Sequence, residues 1–116
     1  MARKALVIER DELMVDALAY LLSGMGFEIE RDFTIDSLAS KCPECDLIFV
    51  EIDNPDQLNL FLEHGRDLNI PVLVSSGDYE ILDTCRQNDV GNEYILKPFN
   101  ISDFEKKVKG AVAMYY

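Results

Sequence analysis

Residues able to do chemistry stand where the apolar runs of this chain stop. "LIFVEIDNP" (47–55) carries an apolar run into Glu51, Asp53 and a turn, "LVIERDE" (6–12) ends on Glu9 and Arg10, "VLVSSG" (72–77) on Ser75 and Ser76, and "YILKPF" (94–99) on Lys97. If those ends meet, carboxylates, hydroxyls, an ammonium and a guanidinium share one crevice. Glu51 is then either a reacting group or a copy of one.

Whether they meet depends on the elements between them. Apolar runs at 5–8, 47–52, 72–74 and 94–96 are each followed by a helical pattern, which is the signature of βαβ units and a parallel sheet. In the first helical stretch Met14, Ala17, Leu18, Leu21, Leu22 and Met25 form one stripe, with Asp11 placed to cap its start and Gly24 or Gly26 to stop it. "FEIERDF" (27–33) alternates apolar and charged residues and predicts a strand with one wet side at a sheet edge. A short helix is expected around Ser37 to Cys42, and Leu58, Phe61 and Leu62 behind Asn54 and Pro55 mark a third. Ile81, Leu82 and Cys85 mark a fourth, and Phe104, Val108, Ala111, Val112 and Tyr115 fall on one face of a fifth. Five βα units account for residues 1–116 as one domain, and parallel strands bring Glu9, Arg10, Glu51, Ser75, Ser76 and Lys97 to one sheet edge.

Bulk properties narrow the function classes. Asp and Glu outnumber Lys and Arg by 22 to 11, a formal net charge of −11, so direct nucleic-acid binding would work against a repulsive field and a protein surface is the expected partner. No apolar run approaches a membrane span and no signal peptide opens the chain, which makes the cytoplasm the default compartment. Three cysteines, an odd number, fit reduced thiols.

Over its entire length the chain resembles the receiver domain of bacterial two-component response regulators. "LVIERDELMVDALAYLL" sits like that family's first strand and helix, "CDLIFVEIDNP" like its third strand, "IPVLVSSG" like its fourth and "NEYILKPF" like its fifth. Lys97-Pro98-Phe99 with Tyr94 three residues upstream is the most specific of these spacings. The resemblance implies a doubly wound, flavodoxin-like α/β fold with a five-stranded parallel sheet in the order 2-1-3-4-5, an acidic pocket for Mg²⁺, and phosphorelay signal transduction in which a histidine kinase phosphorylates a central aspartate. It further implies that Ser76 is the hydroxyl residue that follows the phosphoryl group, Lys97 the invariant lysine and Tyr94 the switch aromatic.

The departures carry as much information as the matches. The phosphoacceptor position holds Glu51, one methylene longer than aspartate, and the pair of acids after the first strand has become Glu9 and Arg10. Three carboxylates and a lysine would leave minus two for Mg²⁺ to neutralise, whereas Glu9, Glu51, Arg10 and Lys97 sum to zero. An Arg10–Glu51 contact at ~4 Å would contribute roughly 4 kcal/mol before desolvation at an effective dielectric near ~20, placing arginine where the metal would sit. A displaced nucleophile and a missing metal both raise the barrier to phosphoryl transfer. The expectation is therefore a pseudo-receiver with no cofactor, in which Glu51 imitates a phosphorylated aspartate with Lys97 and Ser76 as partners. It would regulate a signalling protein or attached output domain through the fourth helix, fifth strand and fifth helix, or as a homodimer.

Competing readings remain at the level of sequence. The cluster could be a salt-bridged relic; Asp53 could be a replacement acceptor, since alternation puts 51 and 53 on one side; and Asp11 could replace the lost metal ligand rather than cap a helix. A working receiver phosphorylated on Glu51 or Asp53 is the first rival function. A phosphohydrolase using the acid-x-acid pattern of "EIDNP" is the second, although its first acid is glutamate and no hydroxyl follows at the needed spacing. "ERDEL" lacks the glycine that would admit a nucleotide phosphate. Cys42-Pro43-Glu44-Cys45 has thiol-redox or half-zinc spacing but precedes a strand, so incidental thiols are expected.

Overall fold

The computed structural model describes residues 3–38, 44–65 and 68–115. Five parallel strands, β1 (Arg3–Ile8), β2 (Phe27–Asp32), β3 (Leu47–Glu51), β4 (Val72–Ser76) and β5 (Glu93–Leu96), lie in the order β2-β1-β3-β4-β5. Among the described residues the helices given bounds are α1 (Glu12–Gly24), α2 (Pro55–Gly65), α3 (Tyr79–Gln87) and α4 (Ile101–Ala113), and a 3-10 turn lies at Ile35–Ser37. The doubly wound topology expected from the sequence is present. Of the second expected helix, around Ser37 to Cys42, only Ser37 and Leu38 are described, at the end of this turn; 39–42 lie outside the described residues.

Alternation along the central strands divides the core into two layers. Leu6, Ile8, Ile48, Val50, Val72 and Val74 face α2, α3 and the 3-10 turn through Ile35, Leu58, Phe61, Leu82 and Cys85. Ala5, Val7, Leu47, Phe49, Leu73 and Ile95 face α1 and α4 through Val15, Leu18, Leu22, Phe104 and Val108. Phe49, Phe99 and Phe104 close the second layer, with centroids 5.7 to 6.5 Å apart in edge-on and stacked pairs.

Local chemistry sets the helix ends. Asp11 caps α1 by accepting from the Leu13 and Met14 amides, which fixes its role as an N-cap. Asn54 accepts from the Gln57 amide at 2.9 Å, and Pro55 supplies the preset φ of the first helical position of α2. Gly26, at φ +93°, takes the left-handed turn after α1. The buried stripe of α1 is rotated from the sequence expectation: Val15, Leu18 and Leu22 are buried, while Ala17 is exposed. Both stripes have helical period, and the larger apolar volume of Val15 wins the core side. In α4 the buried residues are Phe104, Val108 and Ala111, and Tyr115 lies past the helix end, half-exposed.

β2 is an edge strand, with Glu28, Glu30 and Arg31 exposed, as its alternating sequence suggested. No helix among the described residues is long and apolar enough to cross a membrane.

Gly91 links α3 to β5 at φ +79°, and a Cβ there would lie 2.6 Å from Val74 Cγ2 and 3.2 Å from the Val72 carbonyl. Gly91→Ala should therefore lose about 2 kcal/mol or more in urea unfolding. Gly24→Ala, whose Cβ meets nothing within 4 Å, should be neutral or gain up to about 1 kcal/mol.

Candidate functional site

The row of residues facing α1 and α4 continues past the last apolar position of each strand. In β1 it runs Ala5, Val7, Glu9; in β3 Leu47, Phe49, Glu51; in β5 Ile95, then Lys97. Equal phase thus delivers two acids and one lysine to the same side of the sheet edge. The Lys97 ammonium donates to Glu9 Oε1 at 2.8 Å and also to Glu51 Oε2. Glu9 is 1% exposed, and its other oxygen accepts from the backbone amides of Arg10, at 2.8 Å, and Asp11, at 3.3 Å. A buried carboxylate is affordable here because both of its oxygens are hydrogen-bonded to donors, one of them charged.

Lys97 is pulled both ways. Burial favours its neutral form, but hydrogen bonds and charge from Glu51 and Glu9 outweigh that and raise its pKa above the ordinary lysine value. One ammonium does not satisfy two acids equally. Burial is the largest influence on Glu51 and lifts its pKa from 4.5 to about 7; the bond from Lys97 opposes this, while hydrogen bonding with Glu9 and Asp53 adds to it.

Asp53 lies beyond the end of β3, in the loop, and turns toward β4. Its Oδ1 accepts from the Ser76 hydroxyl at 3.0 Å and the Gly77 amide at 2.9 Å. Burial works to raise its pKa, but the Gly77 amide, the Glu51 carboxyl, the Ser76 hydroxyl and the Lys97 charge together lower it. Ser76 is therefore partnered by Asp53, and the expected Glu51–Ser76 pairing is replaced: Glu51 is drawn to Lys97, and the shorter acid two residues later takes the hydroxyl. Asp53 is the member of this group whose position the sequence pattern did not resolve, because alternation stops being informative once a strand ends.

Arg10 also departs from expectation. Its side chain is exposed and forms no ion pair among the described residues, so it does not stand on Glu51 as a substitute cation. Its backbone amide instead serves Glu9, and one position along the chain turns its side chain out of the Glu9 row. It borders a cavity of about 130 Å³ whose wall also includes Glu9, Glu51, Gln57, Phe33 and Leu60. The zero charge sum must accordingly be revised: Asp53 adds a carboxylate and Arg10 stands at the rim.

Ser75 is fully buried, and its hydroxyl has no hydrogen-bond partner among the described residues. Tyr94 is half-buried, donates its hydroxyl to the Gly91 carbonyl at 2.9 Å, and lies under the Arg86 guanidinium at 4.8 Å, so its hydroxyl is held away from Ser76. Cys42 and Pro43 lie outside the described residues; Cys45 is buried, and burial pushes its thiol up to about 11, an unreactive value.

A Mg²⁺ ion needs near-octahedral oxygen donors, usually one or two carboxylates and several waters. At this site Glu9 spends both oxygens on the protein, Glu51 Oε2 is on Lys97 and Asp53 Oδ1 is on Ser76 and Gly77. No group of three or more His, Cys, Asp or Glu side chains is set to hold a metal among the described residues.

No protein-family model matches the sequence. Solved structures do match the fold. A two-component response regulator from Clostridium difficile is 23% identical, with 98% of this chain and 99% of that one covered and a TM-score of 0.81. A CheY-like response regulator receiver domain protein from Methanospirillum hungatei is 20% identical over 98% and 96% of the two chains, at a TM-score of 0.79. NtrX from Brucella abortus, solved in complex with ADP, is 25% identical over 98% of this chain but only 27% of its own, at 0.79. The fold is thus the CheY-like receiver fold.

The Glu51 pKa has a thermodynamic consequence. Its folded value exceeds the ordinary 4.5, so the folded state binds the proton more tightly and stability falls as pH rises from 4.5 to about 7, by up to about 3 kcal/mol in total. Denaturant unfolding of Glu51→Gln should show this slope removed, so that the variant gains on the parent between pH about 5 and about 8.

Proposed function

We propose that this chain is a regulatory receiver module of two-component signal transduction that controls a protein partner or attached output domain without Mg²⁺-dependent aspartyl phosphorylation. The observation that carries the reading is the Lys97 ammonium bound by Glu9 and Glu51 together. A lysine so engaged is committed inside the protein, and a glutamate so engaged is not poised for in-line attack. Glu51 acts as a fixed acidic partner of Lys97, the part of the phosphoaspartate imitation that the geometry supports, and the module works by binding rather than turnover.

The receiver fold favours this over a phosphohydrolase, and the length of NtrX beyond the matched part is consistent with output through an attached domain. Exposed apolar residues support a docking face there: Tyr79, Leu96 and Ile101, at or near the starts of α3 and α4 and the end of β5, stand around the groove that includes Tyr94 and Phe99. A homodimer or a heterologous partner would bury the same residues. The acidic surface charge favours a protein over nucleic acid in that role.

Amide NMR titrated with Mg²⁺ and then beryllofluoride is the test. The parent chain should stay silent at Glu9, Glu51, Ser76 and Lys97, while Arg10→Asp combined with Glu51→Asp should gain Mg²⁺-dependent shifts there. Shifts in the parent that spread to Tyr94, or a mass gain on Glu51 or Asp53 from a phosphoryl donor, would restore a working phosphoacceptor and overturn the reading.

A further inference from the structure

We infer that the cavity of about 130 Å³ between the ends of β1 and β3, the loop after β2 and α2 binds a free aliphatic α-amino acid, with Arg10 and Gln57 taking its carboxylate and the acids Glu51 and Asp36 its ammonium. The site is read by binding alone and stands apart from the signalling role proposed above.

Gln57 supplies the first sign of a ligand. Its side chain is 9% exposed, and its Oε1 accepts from the Asp53 amide at 2.6 Å, which fixes the plane of the side-chain amide. The Nε2 group at the other end of that plane carries two protons, lines the same cavity and has no hydrogen-bond partner among the described residues. A nearly buried donor held still by its own carbonyl is pre-organised for an acceptor brought from outside. Arg10 borders the same cavity, exposed and without an ion pair among the described residues, and its planar guanidinium matches a carboxylate in two-point contact.

The wall also carries negative charge that is not fully matched. Glu9 and Glu51 share the single ammonium of Lys97, and Asp36 stands exposed with no ion pair among the described residues. A plain carboxylate would be repelled by these acids, and a plain amine would face Arg10 and leave Gln57 unanswered. A zwitterion meets both sets of groups and brings in no net charge. Apolar residues set what it carries between its charges. Phe33 and Leu60 are exposed apolar members of the wall, and Ile35 is a buried one. The loop bearing Phe33 is held by Asp32, whose Oδ1 accepts from the Phe33 amide at 2.7 Å and the Thr34 amide at 3.2 Å, so this side of the site is formed before a ligand arrives. An apolar cavity of about 150 Å³ admits benzene, so a branched aliphatic side chain suits this one in size.

L-Valine, isobutylamine and isovalerate, titrated separately at constant ionic strength near neutral pH into the parent chain and into Arg10→Ala, test this through the Gln57 side-chain amide and the Phe33 and Thr34 backbone amides. Isobutylamine is valine without its carboxylate, and isovalerate is valine without its ammonium. In the parent, L-valine should shift the Gln57 side-chain amide saturably, and each half should bind about tenfold more weakly or worse. Arg10→Ala, a change at an exposed position that leaves the fold intact, should weaken L-valine by about tenfold to a hundredfold without weakening isobutylamine. L-Alanine and L-leucine, titrated in the same way, cover the range of side-chain size. No saturable shift with any of the three amino acids overturns the inference, as does a half that binds as tightly as the whole, or an L-valine affinity that Arg10→Ala leaves unchanged.

Discussion

The ammonium of Lys97, held between two buried or nearly buried carboxylates, is the interaction on which the rest of the site depends. Taking Glu9 almost wholly out of water is tolerable only because Lys97 and two backbone amides together satisfy it. Once Lys97 is shared, Glu51 is left with half a counter-ion, and its raised pKa follows from burial on that side of the sheet. Asp53 then takes the donors that Glu51 does not reach, the Ser76 hydroxyl and the Gly77 amide. Each acid has its place because the one before it has used the nearest partner.

Much of this was legible in the sequence, and the reason is periodicity. Parallel strands with a common phase force Glu9, Glu51 and Lys97 onto one side, so βαβ alternation and a parity count suffice to bring them together. The edge position of β2 and the Asp11 cap follow from equally local rules, whereas the strand order came from the resemblance to the receiver family. What escaped were features in which several local solutions compete. Arg10 carries the right charge to replace a metal, but adjacency to Glu9 in the chain directs its side chain outward. Asp53 lies two residues past the end of β3, where strand parity no longer fixes the side its carboxylate takes. The burial of Val15 in place of Ala17 turns on a rotation of α1 that two overlapping stripes leave undecided.

The same economy of partners bears on signalling. Most of the donors and acceptors at the strand ends are matched within the chain: Glu9 and Glu51 on Lys97, and Asp53 on Ser76 and Gly77. Tyr94 is engaged in the same way, with its hydroxyl on Gly91 and its ring beneath Arg86, on the side that leads to the exposed Tyr79, Leu96 and Ile101. Internal satisfaction of the pocket and an apolar face a few residues away are the two features on which the proposed docking role rests.

The central claim, that Lys97 serves Glu9 and Glu51 at once, is tested most directly by following the ¹⁵Nζ resonance of Lys97 against pH. The account predicts an ammonium that keeps its proton beyond the ordinary lysine value of 10.5, and a midpoint that falls when Glu9 is replaced by glutamine. A Lys97 that loses its proton at or below 10.5, with no response to Glu9→Gln, would contradict the shared ion pair and the account built on it.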